Sequence, residues 1–426
     1  MSKLCLSRAG YKWKPGFLRI ARNLPLAPLP ATGIHAKSRL RLWVDRTAIP
    51  CQHASQGCRP GPTAERWQTD RNMLQRLHQK IITTKRAGIL TPLYLYARLF
   101  LLLLSWPYRL ATWIRNLLYR FEILKPTRVN LPVVSVGNIT TGGTGKTPIV
   151  AWIVKQLQEM GHRPGIISRG YRSDSTGTND ELKVLARLCP TVPHIQNPDR
   201  IAAAEEFVAR QDVDILVLDD AYQHRRIHRN LNIVLLDATC PFGFGHLLPL
   251  GLLREPQGEL KRADVALLTR TNLVSESDLF NIKQKIRHLG PDLTARCLST
   301  RFVATSLMFG DGRIQSLAAV AGSRVVVMAA IGNPDAFVRT CQDAKANVAE
   351  CAFFPDHHHY SAEDLQTVSQ LADAVDAEFI LTTLKDMVKV ETPDPRMAAV
   401  MIETSFDDDS DSQIVRDMLE RATMMI

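Results

Sequence analysis

Residues 133–148 read V-V-S-V-G-N-I-T-T-G-G-T-G-K-T-P, an apolar run that enters a glycine-rich turn ending in Gly145, Lys146 and Thr147. A chain with this order is constrained to a buried strand, a tight turn and a helix. Glycines let backbone N–H groups close on an anion, the lysine neutralises the β/γ charge of a triphosphate, and the following helix points its positive end at it. The stretch therefore predicts a phosphate cradle built from Thr140, Thr141, Gly142, Gly143, Thr144, Gly145, Lys146 and Thr147, with the Thr147 hydroxyl on Mg²⁺. The strict pattern wants glycine where this chain has Thr140, and Gly142 and Gly143 supply the flexibility instead. A turn without a ligand would leave Lys146 as an unexplained cation over a helix start. The expected strand covers 131–136 and the expected helix 147–160, stopped by Gly161.

Beyond the cradle, apolar runs at 165–168, 214–219, 232–237 and 264–269 alternate with a helical pattern at 199–210. That grammar predicts an α/β fold, a P-loop NTPase-like, doubly wound and mostly parallel sheet whose ligands lie beyond the carboxyl ends of the strands. Asp219 and Asp220 follow the apolar strand D-I-L-V-L-D, the position from which such sites hold Mg²⁺. The plainer reading is a solvated turn. His224 and Arg225 fit either a phosphate contact or the surface. Arg254-Glu255 reads either as a surface ion pair or as a cation balancing transferring phosphate beside a further metal carboxylate. Strands at 324–328, 349–354 and 379–383, with helices at 334–344 and 362–375, predict a second, smaller α/β domain.

Length bears on organisation, since 426 residues exceed what one core usually serves. The expected division is a basic leader at 1–72, a helical segment at 73–126, a core at 127–295, a β-like linker at 296–323 and a smaller domain at 324–426. The formal charge of +11 resembles a nucleic-acid signal until it is located: residues 1–72 carry 13 Lys and Arg against 3 Asp and Glu. That leaves a nearly neutral body, so no nucleic-acid partner is expected. The leader also holds seven prolines and no apolar periodicity, which argues for disorder. It reads either as sequence preceding a start at Met73 or as an Arg-rich transit peptide. Eight cysteines without paired spacing match neither a disulfide framework nor a Cys-x-x-Cys knuckle, which implies a reducing compartment.

Residues 90–121 are rich in leucine and aromatics and studded with Arg98, Arg109, Arg115 and Arg120. The uninterrupted apolar length falls short of the about 20 residues needed to span a bilayer. Trp106, Tyr108, Trp113 and Tyr119 suit an interfacial helix at headgroup depth. An amphipathic helical pair packed on the catalytic domain fits equally well.

Five motifs then occur in one order: S-V-G-N-I-T-T-G-G-T-G-K-T-P, S-R-G-Y at 168–171, L-D-D-A-Y-Q-H at 218–224, L-L-P-L-G-L-L-R-E-P at 247–256 and A-I-G-N-P at 330–334. Together, from about residue 90 to the end, they closely resemble the tetraacyldisaccharide 4'-kinases, which share the displaced glycine at Thr140. The resemblance implies ATP-dependent phosphorylation of the 4'-hydroxyl of a tetraacyldisaccharide 1-phosphate, a lipid A precursor, giving lipid IVA at the cytoplasmic face of the bacterial inner membrane. It implies ATP and Mg²⁺ as cofactors and the lipid and a membrane surface as partners, with no protein partner evident. The family's base lies in G-D-E-P, matched here by Asn179-Asp180-Glu181-Leu182, so Asp180 is the implied base although the flanking Gly and Pro are replaced. The family pairs it with a histidine in an Asp-His segment, matching His357 here. Lys146, Arg169 and Arg254 are then the cations at the transferring phosphate, and Thr147, Asp219, Asp220 and Glu255 the metal environment.

The run 357–359 of three histidines invites a metal assignment, but adjacent residues do not all reach one ion, and helical zinc pairs use i,i+4 spacing. A P-loop GTPase or metallochaperone is a second reading; its guanine-reading Asn-Lys-x-Asp has only a shifted match at Thr383-Leu384-Lys385-Asp386. A nucleotide-dependent membrane-association module without transfer chemistry is a third. Labelled ATP and lipid separate them, since only the kinase labels the lipid.

Overall fold

The computed structural model describes residues 91–170, 180–356 and 358–424. The expected leader and His357 lie outside the described residues. A 30-residue helix, α1 (Thr91–Arg120), comes first. There follow β1 (Val133–Asn138), α2 (Lys146–Glu159), β2 (Pro164–Ser168), α3 (Asp180–Leu188), β3 (His194–Gln196), α4 (Arg200–Arg210), β4 (Ile215–Leu218), β5 (Leu231–Asp237), β6 (Val265–Thr269) and α5 (Glu276–Leu289). After β7 (Cys297–Phe309) and β8 (Ile314–Ser316) come β9 (Arg324–Ala329), α6 (Pro334–Asp343), β10 (Asn347–Phe353), α7 (Ala362–Ala374), β11 (Phe379–Thr383), α8 (Leu384–Met387), β12 (Met397–Phe406) and α9 (Asp409–Thr423).

The described strands form one sheet in the order β10-β9-β11-β12-β7-β6-β5-β1-β4-β2-β3, with β8 beside β7. Pairing is parallel except where β7 meets β12 and β8. This is the α/β, P-loop NTPase-like, mostly parallel architecture expected from the alternating pattern. The long strand β7 pairs first with β6 through Cys297–Ser299 and then antiparallel with β12 through Thr300–Phe309. The sheet thus passes from one group of strands to the other without a break.

All six residues of β1 are buried, as a central parallel strand with helices on both faces requires. Val134 and Val136 pack with Ile149, Ile153 and Leu157 of α2, whereas Val133 faces Ala203, Ala204 and Phe207 of α4. Each such fully buried aliphatic side chain contributes about 1.5–3 kcal/mol of transfer free energy, so the cradle is anchored on both faces of its strand. The strand begins and ends two residues later than the sequence pattern suggested, because its pairing with β5 continues to Asn138 opposite Leu235. Gly137 is therefore a strand residue. A Cβ there would lie 2.5 Å from the backbone nitrogen of Tyr222, so glycine permits the acidic turn after β4 to close on β1.

One local expectation needs correction. Residues 91–120 form a single helix and not a helical pair, since α1 runs unbroken through Pro107. The acidic run 407–411 is engaged by the fold: Asp408 caps α9, Asp407 accepts a hydrogen bond from Thr271, and Asp411 accepts one from the Ser299 amide. Carboxylates at a helix start offset its positive end.

Candidate active site

Between β1 and α2 the chain turns at Gly142 and Gly145, with φ of 110° and 81°, conformations that favour glycine. Gly145 is the N-cap of α2 and its side has no capping group, which leaves the first helical N–H groups directed at the loop's interior. The loop is held from beneath: Asn138 Nδ2 donates to Thr144 Oγ1 at 2.9 Å, and Thr269 Oγ1 at the end of β6 donates to the Thr144 carbonyl at 3.0 Å. Thr140 and Thr144 are consequently buried. Lys146 Nζ stands 3.7 Å from Asp220 Oδ1.

The acidic turn follows β4 directly. Asp219 is buried, its amide bonded to Ile167 and its Oδ1 without a hydrogen-bond partner among the described residues. Burial, then the nearby charge of Glu181, push its carboxyl up to about 7. Asp220 occupies a left-handed conformation, φ 48°, which aspartate tolerates. Burial opposes its charge too, but Lys146 and Arg254 outweigh burial and hold its carboxyl below the usual range. Two adjacent acids thus differ in kind: Asp219 is orphaned and raised, Asp220 paired and ionised. Gln223 completes the turn by donating to the Asn138 carbonyl at 2.7 Å.

Arg254 reaches the same turn from the segment 247–256. Its Nη1 lies 2.9 and 3.0 Å from the two oxygens of Asp220. The backbone of this segment straps the start of the cradle: Arg254 N donates to Ile139 at 2.7 Å, Thr141 N donates to Leu252 at 2.7 Å, and Thr140 bridges Leu253. Glu255 is placed otherwise. It is wholly buried, and its two oxygens accept from Arg115 of α1 and from Arg262. Burial raises its carboxyl although both arginines oppose the rise. The strap therefore sends Arg254 to the cradle and Glu255 to an ion-pair cluster on the other side.

Asp180 and Glu181 open α3. The charge of Glu181 is felt at Asp219, and that of Asp180 at Tyr360 in the segment between β10 and α7. Val184 and Leu188 pack with Leu384 and Met387, which fixes α3 to the C-terminal half. Arg169 ends the segment after β2, and its charge is felt at Arg200. His358 is occupied structurally, stacked on Phe354 and 3.0 Å from Asp364. Arg225 stacks on Tyr119 of α1 at 4.5 Å. Burial keeps His224 neutral, lowering it to about 4.

Several contributors gave no compact signal. Arg200 is buried beneath the turn, with Nη2 3.4 Å from the Asp219 carbonyl. Phe302 of β7 lies so close to Gly145 that any Cβ there would collide with its ring. Phe302 also lines a cavity of about 240 Å³ with Arg270, Asn272, Leu273 and Arg339. The pairing of β7 with β6 brings Phe302 to Gly145.

Residues 97–420 match the protein family described as Tetraacyldisaccharide-1-P 4'-kinase. The chain belongs to that family. The tetraacyldisaccharide 4'-kinase of Anaeromyxobacter dehalogenans strain 2CP-1 is 38% identical over 319 residues, covering 70% of this chain and 82% of that one. The one from Halothermothrix orenii is 33% identical over 349 residues, covering 76% and 91%. Among solved structures, LpxK from Aquifex aeolicus in complex with ATP superposes with a TM-score of 0.62 at 25% identity, covering 77% of this chain and 99% of that one. The chain is thus a phosphotransferase that phosphorylates the 4'-position of a tetraacyldisaccharide 1-phosphate lipid A precursor at the expense of ATP.

Proposed function

We propose that transfer is in-line and that the cradle, the acidic turn and the start of α3 carry it. Loop N–H groups and Lys146 hold the β- and γ-phosphates, while Arg254 and Arg169 face the charge that develops on the transferring group. Asp180, with His357, accepts the proton of the sugar hydroxyl as it attacks. Asp219, Asp220 and Thr147 fit Mg²⁺, because a buried carboxylate oxygen without a partner beside a triphosphate cradle is the donor such an ion needs. When bound, the ion would neutralise phosphate charge. Glu255, committed to two arginines, supports the strap instead. The observation that carries the reading is the Lys146–Asp220–Arg254 cluster at the mouth of the glycine loop. We place the adenine in the cavity beside Phe302, Asn272 and Arg270, where a ring meets an aromatic face and guanidinium planes.

The two groups of strands, 127–295 and 324–426 joined through 296–323, are read as two lobes that close over the substrates. A membrane face is supported by α1. Its outward side exposes Phe100, Leu103, Trp106 and Trp113, each more than half accessible, although among the described residues no helix is long and apolar enough to cross a membrane. That pattern suits a helix lying in the interface, which supports reading the enzyme as bound at the cytoplasmic face of the inner membrane, where ATP is available. Incubation with γ-labelled ATP and tetraacyldisaccharide 1-phosphate in detergent tests the reading. Label in the lipid, lost in Lys146→Ala, is expected; ATP hydrolysis without lipid labelling contradicts it.

A further inference from the structure

The helix that presents the apolar face also bonds to the strap that aims Arg254. Along α1, Ser105, Tyr108, Thr112, Arg115 and Tyr119 recur at three- and four-residue spacing and form one stripe. This polar stripe turns inward while the leucines and tryptophans turn outward. Ser105 Oγ accepts from the Leu250 amide at 3.2 Å, while its own proton has the Leu101 carbonyl at 2.8 Å and the Leu247 carbonyl at 3.4 Å as acceptors. Tyr108 Oη donates to the Arg254 carbonyl at 2.7 Å, and Arg115 pairs with Glu255.

Residues 252–255 are therefore clamped from both sides. On the inner side, the Arg254 amide donates to Ile139 and the Leu252 carbonyl accepts from Thr141, at the entrance to the cradle. On the outer side stand Tyr108 and Arg115. The Arg254 side chain leaves this clamp to meet Asp220, which faces Lys146. An unbroken series of contacts runs from α1 to the phosphate-binding lysine.

We propose that Tyr108 and Arg115 are positioning residues for phosphoryl transfer, holding the Arg254 backbone so that its guanidinium bridges Asp220 at the transferring phosphate. The proposal rests on the reading of Lys146, Asp220 and Arg254 as the transfer site. A helix that served only as an anchor would need no bond to that carbonyl. Here the anchor and one wall of the site are the same element, so loosening the clamp slows chemistry even when the substrate is dispersed and no membrane is present.

The test is Tyr108→Phe, which keeps the ring and its packing, assayed on detergent-dispersed lipid. A fall in kcat of about fivefold is expected, the rate equivalent of one lost hydrogen bond, with the KM for ATP unchanged and the melting temperature lowered by no more than a few degrees. In an Arg254→Lys background the same substitution should cost little more, because both act on one guanidinium. Arg115→Ala should lower kcat more, and Arg115→Lys should restore part of it. Wild-type kcat in Tyr108→Phe, or a loss that adds in full to that of Arg254→Lys, overturns the proposal. If Arg254→Lys and Lys146→Ala themselves turn over normally, the underlying reading of the site fails, which is a distinct result.

Discussion

Arg254 grips both oxygens of Asp220 through one nitrogen while Lys146 approaches the same carboxylate from the cradle. A single aspartate thus orients two cations beside the glycine loop. Preorganised charge of this kind costs no rearrangement at the moment of reaction.

Removing Arg254 should therefore act on the chemical step. Arg254→Ala is expected to lower kcat by roughly 10²–10³-fold, the usual effect of losing one preorganised donor, while ATP binding changes much less. Steady-state kinetics with ATP and dispersed lipid check this. An effect confined to the KM for ATP would assign Arg254 to ground-state binding.

Asp180 is argued to take the hydroxyl proton. Asp180→Ala should slow single-turnover transfer by about 10²–10⁴-fold, the range of general base catalysis, with ATP affinity retained. Rapid-quench measurement on purified protein decides it, and near-normal turnover removes Asp180 from the base role.

The outward face of α1 predicts partition onto lipid. Replacing Trp106 and Trp113 together by serine should weaken binding to anionic phospholipid vesicles by roughly tenfold or more, given the apolar area withdrawn. Activity on detergent-dispersed substrate should hardly change. Equal co-sedimentation of the variant and wild-type protein would show that this face is not the lipid contact.

Acid sensitivity should have an identifiable source in His194, whose Nε2 lies 2.8 Å from Ser168 Oγ and whose imidazole burial lowers to about 4. Unfolded, it titrates at about 6.5. Between these values the unfolded chain binds a proton that the folded chain refuses, so stability falls as pH falls from 6.5 to 4. The loss from this group between pH 7 and pH 5 is about 2 kcal/mol. His224 acts in the same direction, and the raised carboxyl of Asp219 in the opposite one. Comparison with His194→Gln cancels both. Urea midpoints should show a shallower pH dependence in the variant; identical slopes would remove His194 as a source.

What the sequence made legible follows from the range of the interactions involved. The cradle and the acids after β4 were readable because a strand, a glycine turn and a helix are specified by neighbours. The α3 helix, β3, α5, β12 and α9 were not placed. Part of the reason is that β12 finds its partner, the distant β7, in a reversed direction, which no local period encodes. The segment 90–121 was recognisable as amphipathic, but which side meets the protein depends on distant partners. Tyr108, Arg115 and Tyr119, readable as headgroup contacts, instead meet Arg254, Glu255 and Arg225. Glu255 shows the same limit: as a neighbour of Arg254 it was expected beside it at the metal, and the structure sends the two side chains to different partners, Asp220 for Arg254 and Arg115 and Arg262 for Glu255.

Calorimetric titration of the purified protein with ATP and Mg²⁺ is the most direct measurement, with Lys146→Ala as the companion titration. The account predicts saturable binding by the wild-type protein and a large loss in the variant, whose fold remains intact by circular dichroism. No binding by the wild-type protein, or equal affinity in the two, would contradict it.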